Sequence, residues 1–332
     1  MDRRTTLKML GGLALAGPLQ ATRSFAAAPK TMATVVKAAS VPWFNILNQG
    51  LEAAGKQFNI TTTMVGPAQV DPAQQVKLID DLIAKKVDVI GLVPLDVKVT
   101  AQAVKRARDA GIVVITQEGE NQDGKTWDLE LISAKNYGEM QMKALAREMG
   151  EEGDYVVLVG TLTTPGHNAW ADAAIAYQKA HYPKMRMVAD RFPGADLIDE
   201  SSRVTQQVLQ TYPDVRGIVS MGSNGPIGAG NVIKQRRLEK KVAVVGTMIP
   251  AQAQALLMSG AIREGFLWNP KDAGYGMVAV ARMVLDGTPI KTGIEIPTLG
   301  PATVDEANRV IQVDRVLTIN KTTVGDLVKM GL

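Results

Sequence analysis

Polar and aromatic side chains recur in this chain just after apolar runs that have the composition of buried β-strands. Ammonium, carboxylate, imidazole and amide groups stand there beside flat apolar rings. Paired donors and acceptors can satisfy hydroxyl groups, and aromatic faces can cover C–H surfaces, so the mixture suits a small polyhydroxy compound. The candidate ligand-binding residues are Lys37, Trp43, Phe44, Asp96, Glu118, His167, Asn168, Ser223, Asn224, Trp268 and Asn269.

Several of these residues also have a purely structural explanation. Lys37 could be an exposed strand residue, and Trp43 and Phe44 could simply cap the core. Asn168 could cap the helix that follows it, as asparagine often does. Trp268 could pack between domains without touching a ligand. The residue types alone leave both alternatives open at these positions.

The candidates need a scaffold that brings strand ends together, and the chain predicts one. Apolar strands alternate with helical patterns from 33–39 onward, and the series restarts at 155–160. Strands and helices alternating at this spacing indicate βαβ units and parallel sheets covered on both faces. Ligands of such sheets bind beyond the carboxyl ends of the strands. The predicted fold class is therefore α/β, with two doubly wound parallel-sheet lobes and a cleft between them.

The predicted lobes are discontinuous in sequence. A short strand near residue 265 and the helix after it suggest that the chain returns to the first lobe, and it crosses again near residue 300. We expect an N-terminal lobe of residues 29–134 plus 264–298 and a C-terminal lobe of residues 135–263 plus 299–332. Several crossings would form a multi-strand hinge that permits the cleft to close.

Residues 1–28 have the organisation of an export signal. A charged start containing Arg3 and Arg4 precedes a short apolar run, and Ala26–Ala28 supply small residues for cleavage. The adjacent arginines resemble a twin-arginine signal, although Thr6 stands where phenylalanine is usual. An ordinary secretory signal is the alternative. Removal of this segment would leave a mature chain that acts outside the cytoplasm.

Composition excludes several classes of function. Residues 1–28 carry a net charge of +3 out of the chain's +4, so the mature chain has no basic footprint for nucleic acid. The chain has no cysteine, which removes disulfide frameworks and thiolate chemistry. With two histidines and no clustered acids, we expect neither a metal site nor a cofactor.

The mature chain resembles a known family. The motifs that carry the resemblance are KAASVPWFNILNQGLEAAGK (37–56), VGPAQVDPAQQVKLIDDLIAKKVDVIGLVP (65–94), AGIVVITQEGE (110–120) and REGFLWNPKDAGYGMVAVA (263–281). Over residues 33–332 the chain is similar to the periplasmic sugar-binding receptors of ABC importers, the ribose-type group, and most similar to autoinducer-2-binding and rhamnose-binding receptors. This resemblance implies the type I periplasmic binding protein fold.

The resemblance implies roles for particular residues. Lys37 falls where autoinducer-2 receptors carry a ligand-binding lysine, and Glu118 and Asn269 fall where such receptors carry aspartate. The segment 221–224 falls where a small residue and backbone groups touch the ligand. The loop at 166–168 departs from the pattern, because it is Gly-His-Asn where those receptors place an acid and an amide. The ligand therefore stays open among a pentose, a deoxyhexose, a short polyol and autoinducer-2.

The resemblance implies a periplasmic receptor without enzymatic activity. We expect a monomer that captures its ligand between two lobes and delivers it to an inner-membrane ABC permease. One alternative is an exported sugar-processing enzyme that uses Glu118 and His167 as its acid–base pair. Another is a receptor used for chemotaxis or signalling, which the same lobes could serve.

Overall fold

The computed structural model describes residues 29–332, and the predicted export signal lies outside this range. The strands, in chain order, are β1 (Lys30–Val35), β2 (Ile60–Val65), β3 (Val89–Leu92), β4 (Val113–Thr116), β5 (Trp127–Glu130), β6 (Gly153–Leu158), β7 (Met185–Met187), β8 (Val215–Ser220), β9 (Ala243–Thr247), β10 (Glu264–Leu267), β11 (Ile294–Ile296), β12 (Gly300–Asp305), β13 (Val310–Gln312) and β14 (Leu317–Ile319). The helices are α1 (Pro42–Phe58), α2 (Pro72–Ala84), α3 (Val97–Asp109), α4 (Ala134–Met149), α5 (Pro165–His181), α6 (Ile198–Thr211), α7 (Gly225–Gln235), α8 (Pro250–Ser259), α9 (Pro270–Leu285) and α10 (Val324–Lys329).

Two sheets divide these strands, one in each lobe. The first has the order β11-β12-β13-β5-β4-β3-β1-β2, and the second has the order β14-β10-β9-β8-β6-β7. From β13 to β2 all neighbours in the first sheet are parallel, and only β14 is antiparallel in the second. The predicted α/β fold with two parallel-sheet lobes is therefore confirmed.

The first sheet is covered on both faces because its side chains alternate. Met32 and Val36 of the β1 region belong to a core that includes Phe44 and Leu47 of α1. Ala33 and Val35 point the other way, into a separate core with the apolar faces of α2 and α3. This burial on both sides explains why the parallel strands are nearly continuous apolar runs.

The chain passes between the lobes three times. The crossings are residues 131–133 after β5, residues 268–269 after β10, and residues 313–316 after β13. After the second crossing, α9 returns to the first lobe and packs against α1.

Two of the predicted domain boundaries differ from this arrangement. β10, which was expected in the first lobe, pairs with β9 and β14 of the second sheet. β12 and β13, which were expected in the second lobe, pair with each other and with β5 of the first sheet. The sequence prediction joined the short strand β10 to the helix after it, whereas the chain crosses between the two.

Helices α1 and α9 approach so closely that glycine is required at their contact. A Cβ atom on Gly274 of α9 would collide with the carbonyl group of Leu47 in α1. Gly274→Ala should therefore lower the free energy of unfolding by about 1–3 kcal/mol, as overpacking usually does. The midpoint of urea unfolding measures this loss.

Gly325 in α10 provides the matched control for that substitution. No atom lies within 4 Å of the place where its Cβ would stand. Gly325→Ala should be neutral or stabilising by up to about 1 kcal/mol, because alanine is the better helix former. Equal losses at the two positions would contradict the close packing of α1 and α9.

Within residues 29–332, no helix has both the length and the apolar content that crossing a bilayer requires.

Candidate functional site

A cavity lies between the two lobes, beyond the carboxyl ends of both sheets. The first lobe contributes side chains that follow β1 and β4. The second contributes side chains that follow β6, β7, β8 and β10, and one at the end of β9. The lining residues are Lys37, Val41, Trp43, Phe44, Glu118, His167, Trp170, Asp196, Met221, Ser223, Thr247 and Trp268.

A buried ion pair forms the first-lobe wall of the cavity. Lys37 Nζ lies 2.5 Å from Glu118 Oε2, and both side chains are at least nine-tenths buried. The attraction is strong in such surroundings, but both charges have also lost most of their hydration. The pair thus places one fixed positive and one fixed negative charge beside the cavity.

Local structure holds both members of this pair in place. The buried side-chain amide of Gln75 in α2 donates to the carbonyl groups of Val36 and Val93, and it accepts from the backbone N–H of Leu95. It therefore ties together the ends of β1 and β3 next to Lys37. Glu118 adopts φ 56°, a left-handed conformation that is unfavourable for a residue with a side chain. Such strain is often found at functional sites.

His167 approaches the ion pair from the second lobe. Its Nδ1 accepts a 2.9 Å hydrogen bond from the backbone N–H of Gly160. Burial, and then the charge of Lys37, lower the pKa of His167 well below its usual range, so the ring is neutral at pH 7. The proton of the neutral ring must then be on Nε2, which lies 3.4 Å from Lys37 Nζ. Two donors converge there, and the group that fits between them is an acceptor oxygen.

Aromatic rings make the remaining walls. Trp268 contacts Trp43 and Trp170 edge to face, with ring centroids 5.8 Å and 5.3 Å apart. Phe44 packs edge to face on Trp43, at 5.2 Å. The indole N–H of Trp268 is buried and has no hydrogen-bond partner within the part of the chain that the structure describes. It is an unsatisfied donor on a side chain that lines the cavity.

The structure brings most of the predicted residues to this cavity. The candidates that line it are Lys37, Trp43, Phe44, Glu118, His167, Ser223 and Trp268. Their positions agree with the expectation that strand ends converge, and their contact with a ligand stays a prediction.

Four candidates do not line the cavity, and each of them hydrogen-bonds to neighbouring backbone groups. Asp96 accepts from the N–H groups of Lys98 and Val99 and caps α3. Asn269 likewise caps α9. Asn168 donates to the carbonyl groups of Thr161 and Thr164. Asn224 donates to the carbonyl group of Asp196.

Five lining residues were not among the eleven candidates, although the segment 221–224, which includes Met221, was expected to touch the ligand. Asp196 is the most polar of the five. Asp196 follows residues 192–195, which hydrogen-bond to the end of β6. This extension beyond β7 is too irregular to read from an apolar pattern. Thr247 ends β9, and its hydroxyl is 2.8 Å from that of Tyr137. Val41, Trp170 and Met221 also follow strand ends, and that position was the available signal.

Among residues 29–332, no group of three or more histidine, cysteine, aspartate or glutamate side chains could hold a metal ion. The expectation that the protein uses no cofactor stays a prediction.

A second, smaller pocket adjoins the cavity beside the first crossing. It is lined by Glu118, Glu120 and Glu130 of the first lobe and by Pro165 and Gly166 at the start of α5. Burial, and then the charge of Asp128, raise the pKa of Glu130 well above its usual range. Burial also raises the pKa of Asp128. Because the two carboxyl groups interact, they titrate as a pair.

The raised pKa of Glu130 predicts how stability depends on pH. A glutamate in the unfolded chain loses its proton near pH 4.3, earlier than the folded protein does. The contribution of Glu130 to the free energy of unfolding is therefore fully present below that pH. It is lost as the pH rises toward the pKa of Glu130 in the folded protein. Glu130→Gln cannot lose a proton, so this variant should gain stability relative to wild type as the pH rises.

Urea unfolding between pH 4 and pH 8 measures this gain. Glu120→Gln is the matched control, because Glu120 is exposed on the same pocket. We expect no pH-dependent gain for the control. A constant difference between Glu130→Gln and wild type at every pH would contradict the assignment.

Comparison with known proteins agrees with this architecture. A family model described as a periplasmic binding protein domain matches residues 32–289. The chain therefore belongs to the periplasmic binding protein family.

The individual relatives share low sequence identity with this chain. The ribose import binding protein RbsB of Bacillus subtilis (strain 168) is 24% identical over 267 residues, which cover 80% of this chain and 85% of that protein. Among solved structures, LsrB from Clostridium saccharobutylicum in complex with AI-2 has a TM-score of 0.82 at 20% identity, covering 89% of this chain and 99% of that one. An ABC transporter solute-binding protein from Clostridium phytofermentas with bound L-rhamnose has a TM-score of 0.83 at 20% identity, covering 91% and 99%. The two structures show that the fold is shared.

Proposed function

We propose that this protein is a periplasmic receptor that binds a small, uncharged sugar or sugar-like polyol between its lobes and presents it to an inner-membrane ABC permease. It catalyses no reaction. The observation that carries the proposal is the meeting of Lys37, Glu118 and His167, from both lobes, at one cavity between the sheet ends.

The chemistry of the cavity supports a hydroxyl-rich ligand. Lys37, His167 and Trp268 offer donors, and Glu118 offers an acceptor. A hydroxyl group can donate and accept at once, so a polyol can satisfy both kinds of group. The tryptophan and phenylalanine rings can cover its C–H faces. An ion pair that is already neutral overall favours an uncharged guest.

The relatives support the same class of ligand. RbsB is a ribose import binding protein, and the two solved structures hold AI-2 and L-rhamnose. All three ligands are small and rich in oxygen. We infer from them a pentose, a deoxyhexose, a short polyol or autoinducer-2 as the ligand of this chain.

The hinge supports a mechanism of capture. A ligand that contacts Lys37 in one lobe and His167 in the other binds the closed arrangement better than an open one, and so shifts the population toward closure. The three crossing segments are the elements that would bend. Import needs the closed form to be recognised by the permease, and a signalling partner could recognise it in the same way.

Export belongs to the same proposal. We infer that residues 1–28 direct the folded chain through the twin-arginine route, on the strength of Arg3 and Arg4. Arg3→Lys together with Arg4→Lys should leave the protein in the cytoplasmic fraction. Unchanged export of this variant would favour the ordinary secretory route.

A thermal-shift screen of residues 29–332 tests the binding function. The probes are D-ribose, D-arabinose, L-rhamnose, erythritol and autoinducer-2. A ligand present at 100 times its Kd stabilises the folded state by about 2.7 kcal/mol, which raises the melting temperature by several degrees. Three of the chain's four tryptophans line the cavity, so a binding probe should also change the intrinsic fluorescence. No response to any probe would contradict the proposal, and conversion of a probe to product would favour an enzyme.

A further inference from the structure

We propose that Asp196 is a specificity-determining residue of this cavity, which accepts a hydrogen bond from one ligand hydroxyl and so selects compounds that carry it over their deoxy counterparts. The inference rests on the proposed function and deepens it, because it names the side chain that recognises one particular hydroxyl group of the ligand.

Within residues 29–332, Asp196 is the acidic group of the cavity that has no hydrogen-bond donor to its side chain. It is 7% exposed and lines the cavity, and its buried Oδ2 has no hydrogen-bond partner within residues 29–332. Glu118 differs because it is paired with Lys37. A buried carboxyl oxygen without a donor is costly to the folded state. A ligand hydroxyl is the group that would satisfy it.

The surrounding charges agree with this role. Burial raises the pKa of Asp196, Lys37 opposes the rise, and Glu118 adds to it. His167, the remaining titratable group at the cavity, is neutral at pH 7. Either form of the carboxyl group keeps an oxygen that can accept a hydrogen bond.

The backbone around Asp196 is fixed from both sides. The N–H of Ala195 donates to the carbonyl of Val159, and the N–H of Val159 donates to the carbonyl of Phe192. The side-chain amide of Asn224 donates to the carbonyl of Asp196 over 2.8 Å. The carboxyl group is therefore presented to the cavity by a rigid segment, as selective recognition requires.

Gly160 provides the space that the carboxyl group occupies. A Cβ atom at this position would overlap Asp196 Oδ2 and would lie 2.9 Å from His167 Nδ1. The same residue donates its N–H to His167. One glycine thus allows an acid and an imidazole to stand side by side at the second-lobe wall. Gly160→Ala should displace the carboxyl group while keeping its charge.

A binding cycle between protein and ligand variants tests the assignment. The probes are D-ribose, D-arabinose and L-rhamnose, each with its monodeoxy derivatives, titrated calorimetrically into wild type, Asp196→Ala and Gly160→Ala. We expect wild type to bind at least one parent sugar at least ten-fold more tightly than one of its deoxy derivatives. Asp196→Ala should bind that parent at least ten-fold more weakly than wild type does, and it should bind parent and derivative alike. Gly160→Ala should lose part of the discrimination.

Two outcomes of this cycle would overturn the assignment. If Asp196→Ala keeps the wild-type preference for the parent sugar, Asp196 does not read the hydroxyl. If wild type binds none of the parent sugars, the assignment of Asp196 to a sugar hydroxyl fails. If wild type also binds neither erythritol nor autoinducer-2, the proposed function fails with it. The two failures are distinguished by the wild-type titration alone.

Melting temperatures of the ligand-free protein separate a binding role from a structural one. Asp196→Asn removes a buried acid that lacks a partner, so it should raise the melting temperature at pH 7, by less at pH 4. The control is Asp88→Asn, because Asp88 accepts from Lys30 Nζ and from the N–H and hydroxyl of Thr31. We expect the control to lower the melting temperature. A fall of the same size for Asp196→Asn would mean that Asp196 is structural and would overturn the proposal.

Discussion

Glu118→Ala should lower the free energy of unfolding by about 3–5 kcal/mol, because it leaves the ammonium group of Lys37 buried without its partner. Among residues 29–332, the other side chain within hydrogen-bonding distance of Lys37 Nζ is the neutral ring of His167, which offers no acceptor toward it. The carboxyl group of Asp196 acts on Lys37 only from a longer distance. Water would have to enter the cavity, or Lys37 would have to release its proton. Urea unfolding of residues 29–332 measures the loss.

A double variant separates the ion pair from the packing around it. Lys37→Met with Glu118→Leu replaces both charges by apolar side chains of similar size, and such replacements are often neutral or stabilising. We expect this variant to regain most of the stability that Glu118→Ala loses. A Glu118→Ala protein as stable as wild type would show that the pair is hydrated, and it would contradict the buried geometry.

Trp268→Ala should also cost about 3–5 kcal/mol of unfolding free energy, the usual range for truncating a buried tryptophan. Trp268 is 1% exposed and stands in the second crossing between the lobes. Its ring contacts Trp43 of the first lobe and Tyr137 and Trp170 of the second, with centroids 5.8, 5.5 and 5.3 Å away. Its removal leaves a hole where the lobes meet.

Two further variants check how large the loss of unfolding free energy in Trp268→Ala is and whether it comes from the missing aromatic ring. Trp268→Phe keeps an aromatic ring and should lose less stability than Trp268→Ala. Leu162 is 60% exposed, so Leu162→Ala should change the unfolding free energy by no more than about 0.5 kcal/mol. If Trp268→Ala unfolds at the same urea concentration as Leu162→Ala, then Trp268 does not anchor the lobes.

The sequence predicts the parallel strands well because they are buried on both faces. The apolar runs at 33–39 and 155–160, with which the two predicted series begin, overlap β1 and β6. Such strands are short apolar runs between turn residues, and this pattern can be recognised in the sequence of any α/β protein. The convergence of Lys37 and Glu118 follows from the same rule, since both residues stand directly after strands.

The sequence does not predict α4 or the strands β11 to β13. The buried face of α4 includes Gly138 and Gln141, so its apolar period is interrupted. β11 and β13 have three residues each, too few to show an alternation. β12 was not predicted either, and its pairing, which corrects the second lobe's boundary, is a long-range property of the fold.

The site was predicted less completely than the strands, because a polar residue after a strand can either bind a ligand or cap the next helix. Asp96 and Asn269 follow strands, as ligand-binding residues do, and they also precede helices, where aspartate and asparagine serve as caps. The sequence does not distinguish these uses. Asp196 was missed for the opposite reason, since the segment before it pairs with β6 without looking like a strand.

Calorimetric titration of wild type and of the Lys37→Met, Glu118→Leu double variant tests the central claim most directly. The claim is that a small sugar binds in the cavity between the lobes and is held by this ion pair. We expect D-ribose, L-rhamnose or autoinducer-2 to bind wild type with measurable heat. The folded double variant should bind the same probe at least ten-fold more weakly, a loss of about 1.4 kcal/mol or more. An unchanged Kd in the double variant, or no heat from any probe with wild type, would contradict the account.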